Sequence, residues 1–284
     1  MAAFATGGSA NFIPEIFSKK LQSKFYSASV LPMISNTDYE GEISGQGDKV
    51  IIRTVPNVTV ADYTGTISYQ DVTTSNIELL IDKAKSYAFK VDDILRAQSD
   101  IQYWNEASKD ASESMRIAVE TDFLANVVTG ATSTVDDGAV TASTILDAVL
   151  EAARRMDELN IPDSDRFIVL PPWAIEMLKK SDLKLAYLTG DSTSPIRNGV
   201  VGNIDRFKVM SSNLLSVDSS GGADDGKTFC LAGHPKFATF ASQFVKTETV
   251  RLESTFGDGV RGLKVYGYKV VTPDCGVLLK LKAA

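Results

Sequence analysis

One histidine and two cysteines are all that this 284-residue chain holds of the side chains most used for chemistry. With His234 alone, a site built on several histidines is excluded, and a Ser-His-Asp triad would have to use that one residue. Cys230 and Cys275 lie far apart in apolar, strand-like surroundings, and no Cys-x-x-Cys spacing occurs. They read as small buried apolar residues in a reducing compartment, not as a disulfide framework. No uninterrupted run of about 18 apolar residues exists, so no membrane span is expected. The start, Met1 to Ala10, lacks the basic and apolar parts of a secretory leader, and none is expected. Clusters of Lys and Arg are missing as well, and the formal net charge is −7. That balance argues against tight, specific grip on a phosphate backbone.

What is present fits a globular chain: 44% hydrophobic and 23% charged residues. A chain of this length buries roughly 75% of its unfolded surface, so a sizeable core is expected. After the small-residue start, Ile13, Ile16, Phe17, Leu21 and Phe25 repeat at helical spacing, with Lys19, Lys20 and Lys24 elsewhere on the wheel. Pro32 discourages continuation. Residues 36–48, with Glu40, Glu42 and Asp48, read as a solvated loop. Two β-rich runs follow, Lys49–Val60 and Asn76–Val91, and the turn-rich stretch 62–75 between them suggests a long antiparallel hairpin with a polar tip. The apolar side chains Val50, Ile52, Ile77, Leu79 and Ile81 would then need cover, because a lone ribbon is marginal in water.

Asp92 and Asp93 offer N-caps. The spacing of Ile101, Trp104, Ala111, Met115, Ala118, Phe123 and Val127 predicts a helix from Ile101 to Val128, roughly 40 Å long, with Gly130 as its C-cap. Residues 129–143 read as a polar loop. Thr144, with Asp147 as its capping-box partner, opens a second helix, lined by Ile145, Val149, Ala152, Met156 and Leu159. Arg166–Leu170 reads as a buried strand, and Pro171-Pro172 opens a third helix, Trp173 to about Lys180. Strands are expected at Asp205–Met210, Thr228–Ala232, Thr247–Ser254, Leu263–Val271 and Val277–Lys282. In the last, Leu278/Lys280/Lys282 alternate with Val277/Leu279/Leu281, the pattern of an antiparallel sheet with one buried face. The class is α+β.

Several phrases imitate catalytic motifs. Gly221–Thr228 satisfies G-x-x-x-x-G-K-[ST], which would put Lys227 on phosphates and Thr228 on magnesium. However, it leads into a strand, not a helix, and Asp224 and Asp225 would sit beside the phosphates; an exposed turn is the better account. Gly257–Gly262 matches G-x-G-x-x-G, yet Leu263-Lys-Val-Tyr266 follows as a strand, so a tight turn between strands is expected. His234 sits in a turn, where a structural role outweighs a catalytic one. Asn57-Val-Thr59 fits the glycosylation sequon, which carries no weight without a leader. Asp136/Asp137 lack the alternation of a calcium loop. Catalytic, cofactor-binding and metal residues are therefore read as none.

The order of parts is arm, hairpin, long helix, α/β middle and β-rich end. With it go the phrases Val-Gly-Asn-Ile-Asp-Arg-Phe-Lys-Val at 201–209, Ser-Ser-Asn-Leu-Leu at 211–215, Leu-Ala-Gly-His-Pro at 231–235 and Val-Tyr-Gly-Tyr-Lys-Val at 265–270. Together they resemble the Hong Kong 97-like major capsid proteins of tailed bacteriophages. Arg206 departs from the family pattern, which often has Gly there. The resemblance implies an N-terminal arm (1–35), an extended E-loop hairpin (36–91), a P-domain with the spine helix (92–143), an A-domain (144–240) and C-terminal β segments returning to the P-domain (241–284). It implies a non-enzymatic subunit that self-assembles as hexamers and pentamers into an icosahedral virion capsid around the phage's double-stranded DNA, contacted non-specifically, after synthesis in the host cytoplasm. A separate scaffolding protein or none, a portal protein and in some members a decoration protein are the implied partners. An acidic wall suits a container that must confine a polyanion without holding it. Some members cross-link Lys to Asn between subunits, and no such pair is assigned here. The alternative is an encapsulin-type bacterial compartment of the same fold.

Overall fold

A computed structural model of the chain describes residues 26–27, 29–39, 49–54, 56, 58–60, 62–63, 65, 69–71, 74, 76–93, 102–181, 202–253 and 256–284. The candidate arm helix at Ile13–Phe25, the acidic positions Glu40, Glu42 and Asp48, the sequon Asn57 and the stretch 182–200 lie outside the described residues.

The strands, numbered in chain order, fall into three sheets. A two-stranded antiparallel ribbon joins β1 (Lys49–Arg53) to β2 (Asn76–Leu80), with Lys49 opposite Leu80 and Arg53 opposite Asn76. A three-stranded antiparallel sheet has the order β3 (Lys83–Asp92), β10 (Gly257–Val270), β9 (Ala238–Arg251). A six-stranded mixed sheet has the order β4 (Ser133–Val140), β11 (Gly276–Ala283), β8 (Thr228–Gly233), β5 (Phe167–Leu170), β7 (Phe207–Ser211), β6 (Asn203–Ile204). The C-terminal segment divides between them: β10 joins the three-stranded sheet and β11 the six-stranded one.

The core forms where sequence and topology agree. Among the described residues, the short turn α1 (Leu31–Ile34) is followed by three longer helices: α2 (Gln102–Val127), α3 (Ile145–Glu158) and α4 (Pro172–Lys180). The helix α3 sends Ile145, Ala148, Val149, Ala152 and Met156 inward at intervals of three and four, toward β4 and β11. All four residues of β5, Phe-Ile-Val-Leu, are buried, because its sheet is covered on both faces. The 26 residues of α2 run about 39 Å. Its last third contributes Val119, Phe123, Leu124 and Val127 to the same core, while Ala111, Met115 and Ala118 are half-buried.

Arg166 is the largest fully buried side chain. Its guanidinium donates to the carbonyls of Pro162 (2.9 Å) and Ile161 (2.6 Å) and to Asp157 (2.7 Å), so no donor direction is wasted on apolar surroundings. Arg206 reinforces this cluster, donating to Asp157 and Asp163 at 2.6 Å each. Position 206 therefore holds a clamp where the family pattern often has glycine. The left-handed residue of that two-residue turn is instead Asp205, at φ 46°.

Several expectations need correction. The run Asn76–Val91 is not one strand. It breaks at Ile81-Asp82, and its second half leaves the ribbon to pair with β10. The apolar alternation of Ile77, Leu79 and Ile81 lapses at Lys83 and Lys85 and resumes at Tyr87, Phe89 and Val91, and that lapse marks the change of partner. The first run is a strand only to Arg53. The loop expected at 129–143 contains β4, which runs parallel to β11 at the sheet edge, with Gly138 at φ 61° beside a register shift at Lys280/Leu281. Asp136 and Asp137 are tolerated there because an edge strand has one open side. β11 is thus parallel to β4 as well as antiparallel to β8, and Leu278 is buried along with Val277, Leu279 and Leu281. Gly257–Gly262 is not a turn but the first half of β10. A Cβ on Gly262 would sit 2.4 Å from the Tyr87 ring, so close approach requires the glycine. Gly130 ends a 3-10 turn, Val128–Gly130, without a left-handed φ; a Cβ there would lie 2.6 Å from Val270. Thr144 precedes α3 without capping it, because its hydroxyl accepts from the N–H of Thr141.

Candidate functional site

The motif-like segments are held by structural contacts. Gly221–Thr228 lies between Asp218 and β8, with the Asp218 N–H donating to the Lys227 carbonyl (2.9 Å) and the Gly226 N–H to the Asp218 carbonyl (2.8 Å). It enters a strand, as expected. Lys227 is not at an exposed tip, however. Its side chain is 13% exposed, and Nζ donates to both Asp136 oxygens (2.7 and 2.8 Å) and to Asp224 (3.0 Å). Lys280 donates to the other Asp224 oxygen at 2.5 Å. Hydrogen bonds from Lys280 and Lys227 hold the Asp224 carboxyl below its usual range, and the bonds to Asp136 and Asp224 raise Lys227. A phosphate would have to displace two carboxylates to reach this lysine. The loop is a clasp between β4, β8 and β11.

His234 is buried, and its Nδ1 accepts from the N–H of Lys236 at 3.1 Å, capping the turn Pro235–Phe237. Burial, then the Lys236 charge, lowers its pKa, which suits the neutral form that this acceptor requires. Cys230 and Cys275 are free and buried, and burial pushes both thiols up, so neither is poised as a nucleophile. Among the described residues no group of three or more His, Cys, Asp or Glu is arranged to hold a metal, and no helix is long and apolar enough to cross a membrane.

The feature left over is a surface. One face of the ribbon is buried within the chain: Ile52, Leu79 and Ile81 pack on Ala241, flanked by Tyr39, Val50, Ile77, Val265 and Val271. A neighbour is therefore not required for those side chains, contrary to expectation, because β9 and β10 supply the cover. On the other face, Ile51 and Leu80 remain exposed. Beyond the paired strands the tip was expected to be polar, with Asp62 and Asp71; both are exposed. Yet Tyr63 and Tyr69 within it, and Val58 and Val60 just before it, face solvent, Val60 at 93% and Tyr69 at 95% exposure. The apolar character escaped notice in the sequence because single Val and Tyr residues are scattered among Thr, Ser and Asp.

The tip has order of its own. Gln70 bridges it, accepting from the Thr59 N–H (3.2 Å) and donating to the Thr59 carbonyl (3.3 Å), as a strand partner would. Gly65 turns at φ 99°, and the Tyr63 hydroxyl donates to its carbonyl (3.3 Å). These exposed valines and tyrosines offer apolar area that the chain itself leaves uncovered.

Body, spine helix and apolar-tipped ribbon together define a shell-forming coat subunit. Comparison with known proteins agrees. The family described as "Phage capsid protein" matches residues 77–279. The solved structure of Mycobacterium phage Che8 aligns at a TM-score of 0.84 and 28% identity, covering 96% of this chain and 98% of that one. The capsid of cyanophage P-SCSP1u aligns at 0.81 and 15% identity, covering 99% and 96%. The head of Helicobacter pylori bacteriophage KHP40 aligns at 0.70 and 12% identity, covering 99% of each chain. No curated protein sequence matches significantly. The chain belongs to the phage capsid protein family, and its fold is Hong Kong 97-like. Nothing in these matches favours a bacterial compartment.

Proposed function

We propose that this subunit tiles a closed icosahedral shell around packaged double-stranded phage DNA, as hexamers and pentamers, and catalyses no reaction. The observation that carries the reading is the ribbon tip, which the chain's own fold leaves uncovered while burying the ribbon root. In this reading the arm (1–35) and hairpin (36–91) reach neighbouring subunits, the spine segment (92–143) is the rigid frame, and 144–240 packs around the capsomer axis, with 241–284 tying the sheets together. A net charge of −7 suits a wall facing a polyanion, touching it without sequence preference. The shell is assembled in the host cytoplasm with a separate scaffolding protein and a portal, and decoration proteins dock outside. Negative-stain electron microscopy of purified protein tests the reading: closed shells or capsomer rings are expected. Monodisperse monomers under every assembly condition would overturn it.

A further inference from the structure

The helix α2 carries two carboxylates, Glu120 and Asp122, that face different partners. Two residues along a helix turn through about 200°, so they lie on opposite sides. Asp122 faces β3 and β10, accepting from Lys83 Nζ, Tyr266 and Tyr268 at 3.0 Å each. Glu120 faces the other way, toward the chain entering from the arm. Its carboxylate is completely buried. One oxygen accepts from the N–H of Val30 at 2.9 Å, the other from the Ser29 hydroxyl at 2.5 Å, with Arg116 at 3.9 Å.

The same face continues toward the helix N-terminus. Arg116 donates to the Ser27 carbonyl (2.8 Å) and to Glu113 (2.7 Å), and the Tyr26 hydroxyl donates to Asp110 (2.7 Å). Positions 110, 113, 116 and 120 recur every three or four residues, so they form one stripe, and Tyr26, Ser27, Ser29 and Val30 bond to it. Acidic side chains on a helix surface ordinarily face water. A fully buried carboxylate that binds a backbone N–H ninety positions away is instead a fixed point for that backbone.

We propose that Glu120 is a positioning residue for assembly: it latches the segment 26–30 to the spine helix and thereby sets where, and in which direction, the N-terminal arm leaves the body. Its partner is this chain's own arm root. The proposal rests on the reading that the arm engages neighbours. Its first readout, however, needs only the soluble subunit.

Hydrogen exchange on the unassembled protein measures the latch. In Glu120→Ala the Val30 amide loses its acceptor and exchanges about 10-fold faster, corresponding to a lost bond of ordinary strength. Glu120→Gln, which keeps one acceptor oxygen, stays near wild type. Asp122→Asn, on the opposite face, leaves Val30 protection unchanged. Protection within α3 and β5 stays constant in all three. Should Glu120→Ala fail to fold, Ser29→Ala combined with Arg116→Ala loosens the same segment from its exposed side and is read identically. Shell assembly of the loosened variants then slows or yields irregular particles. Unchanged Val30 exchange in Glu120→Ala overturns the latch, as does Val30 loosening equally in Asp122→Asn. Normal shells from a subunit with a demonstrably released segment overturn its role in assembly. If wild-type protein itself forms no shells, the functional reading fails while the exchange result stands.

Discussion

The six-stranded sheet and the two-stranded ribbon are both rich in Val, Ile and Leu, yet their side chains meet different fates. In the sheet, β5 has a strand on either side, and Ile168, Val169 and Leu170 are fully buried. In the ribbon, only the face turned toward β9 and β10 is covered. Ile51 and Leu80 on the other face, and Val58, Val60, Tyr63 and Tyr69 toward the tip, stay exposed. Composition does not separate the two regions; the number of covering neighbours does. A chain that folds by itself would be expected to place such residues at the root or replace them. Here they stay exposed beyond the paired strands β1 and β2, and the proposed shell contact would supply their cover.

That contrast can be challenged by substitution. Ile168→Ala should cost about 2–5 kcal/mol in denaturant unfolding, because it opens a cavity in a close-packed sheet. Val60→Ala should leave the unfolding midpoint of the free subunit within about 0.5 kcal/mol of wild type, since nothing within the chain packs on it. Equal effects would erase the distinction between body and ribbon. Gly267→Ala acts at their junction. Its Cβ would lie 2.0 Å from the Leu80 carbonyl oxygen, against backbone that cannot swing aside. A destabilisation of about 1–3 kcal/mol is expected, together with chemical-shift changes concentrated at residues 79–82.

The Asp122 network predicts a pH effect at the same root. Partial burial alone would raise this carboxyl, but hydrogen bonds from Lys83, Tyr268 and Tyr266 outweigh it and hold the pKa below the usual range. The unfolded chain therefore takes up the proton at higher pH than the folded one. The stabilisation is complete above the ordinary aspartate value of about 3.9 and is lost as pH falls through the lower folded value. The thermal midpoint of wild type should exceed that of Asp122→Asn at pH 6, and the gap should narrow on acidification toward pH 3. A constant gap would mean that charge plays no part. Lys227→Ala acts locally, at the clasp that ties the loop to Asp136 and Asp224. It frees the loop 218–228 from Asp136 and raises exchange there, with little change in global stability.

Much of the body was legible because its signals are local. The helical period along the 26 residues of α2, the inward stripe of α3, the apolar run of β5 and the proline opening α4 each announce an element without its neighbours. What escaped depends on distant partners. β4 carries Asp136, Asp137 and Gly138 and becomes a strand only beside β11. Lys227 loses its exposed character to Asp136, 91 positions away. The glycines at 262 and 267 answer to Tyr87 and to the backbone at Leu80, which no local spacing reports. The ribbon is legible as a hairpin but its exposed apolar tip is not, because the meaning of Val60 or Tyr69 lies in what fails to cover it.

The most direct test replaces that tip. A variant with Val58→Ser, Val60→Ser, Tyr63→Ser and Tyr69→Ser removes its exposed apolar contacts without touching the body. Its assembly can be followed by size-exclusion chromatography and electron microscopy beside wild type. The free subunit should unfold at the wild-type midpoint, and closed shells should be absent or fall apart on dilution. Shells of normal yield and normal thermal stability from this variant would contradict the assignment of assembly to the ribbon tip.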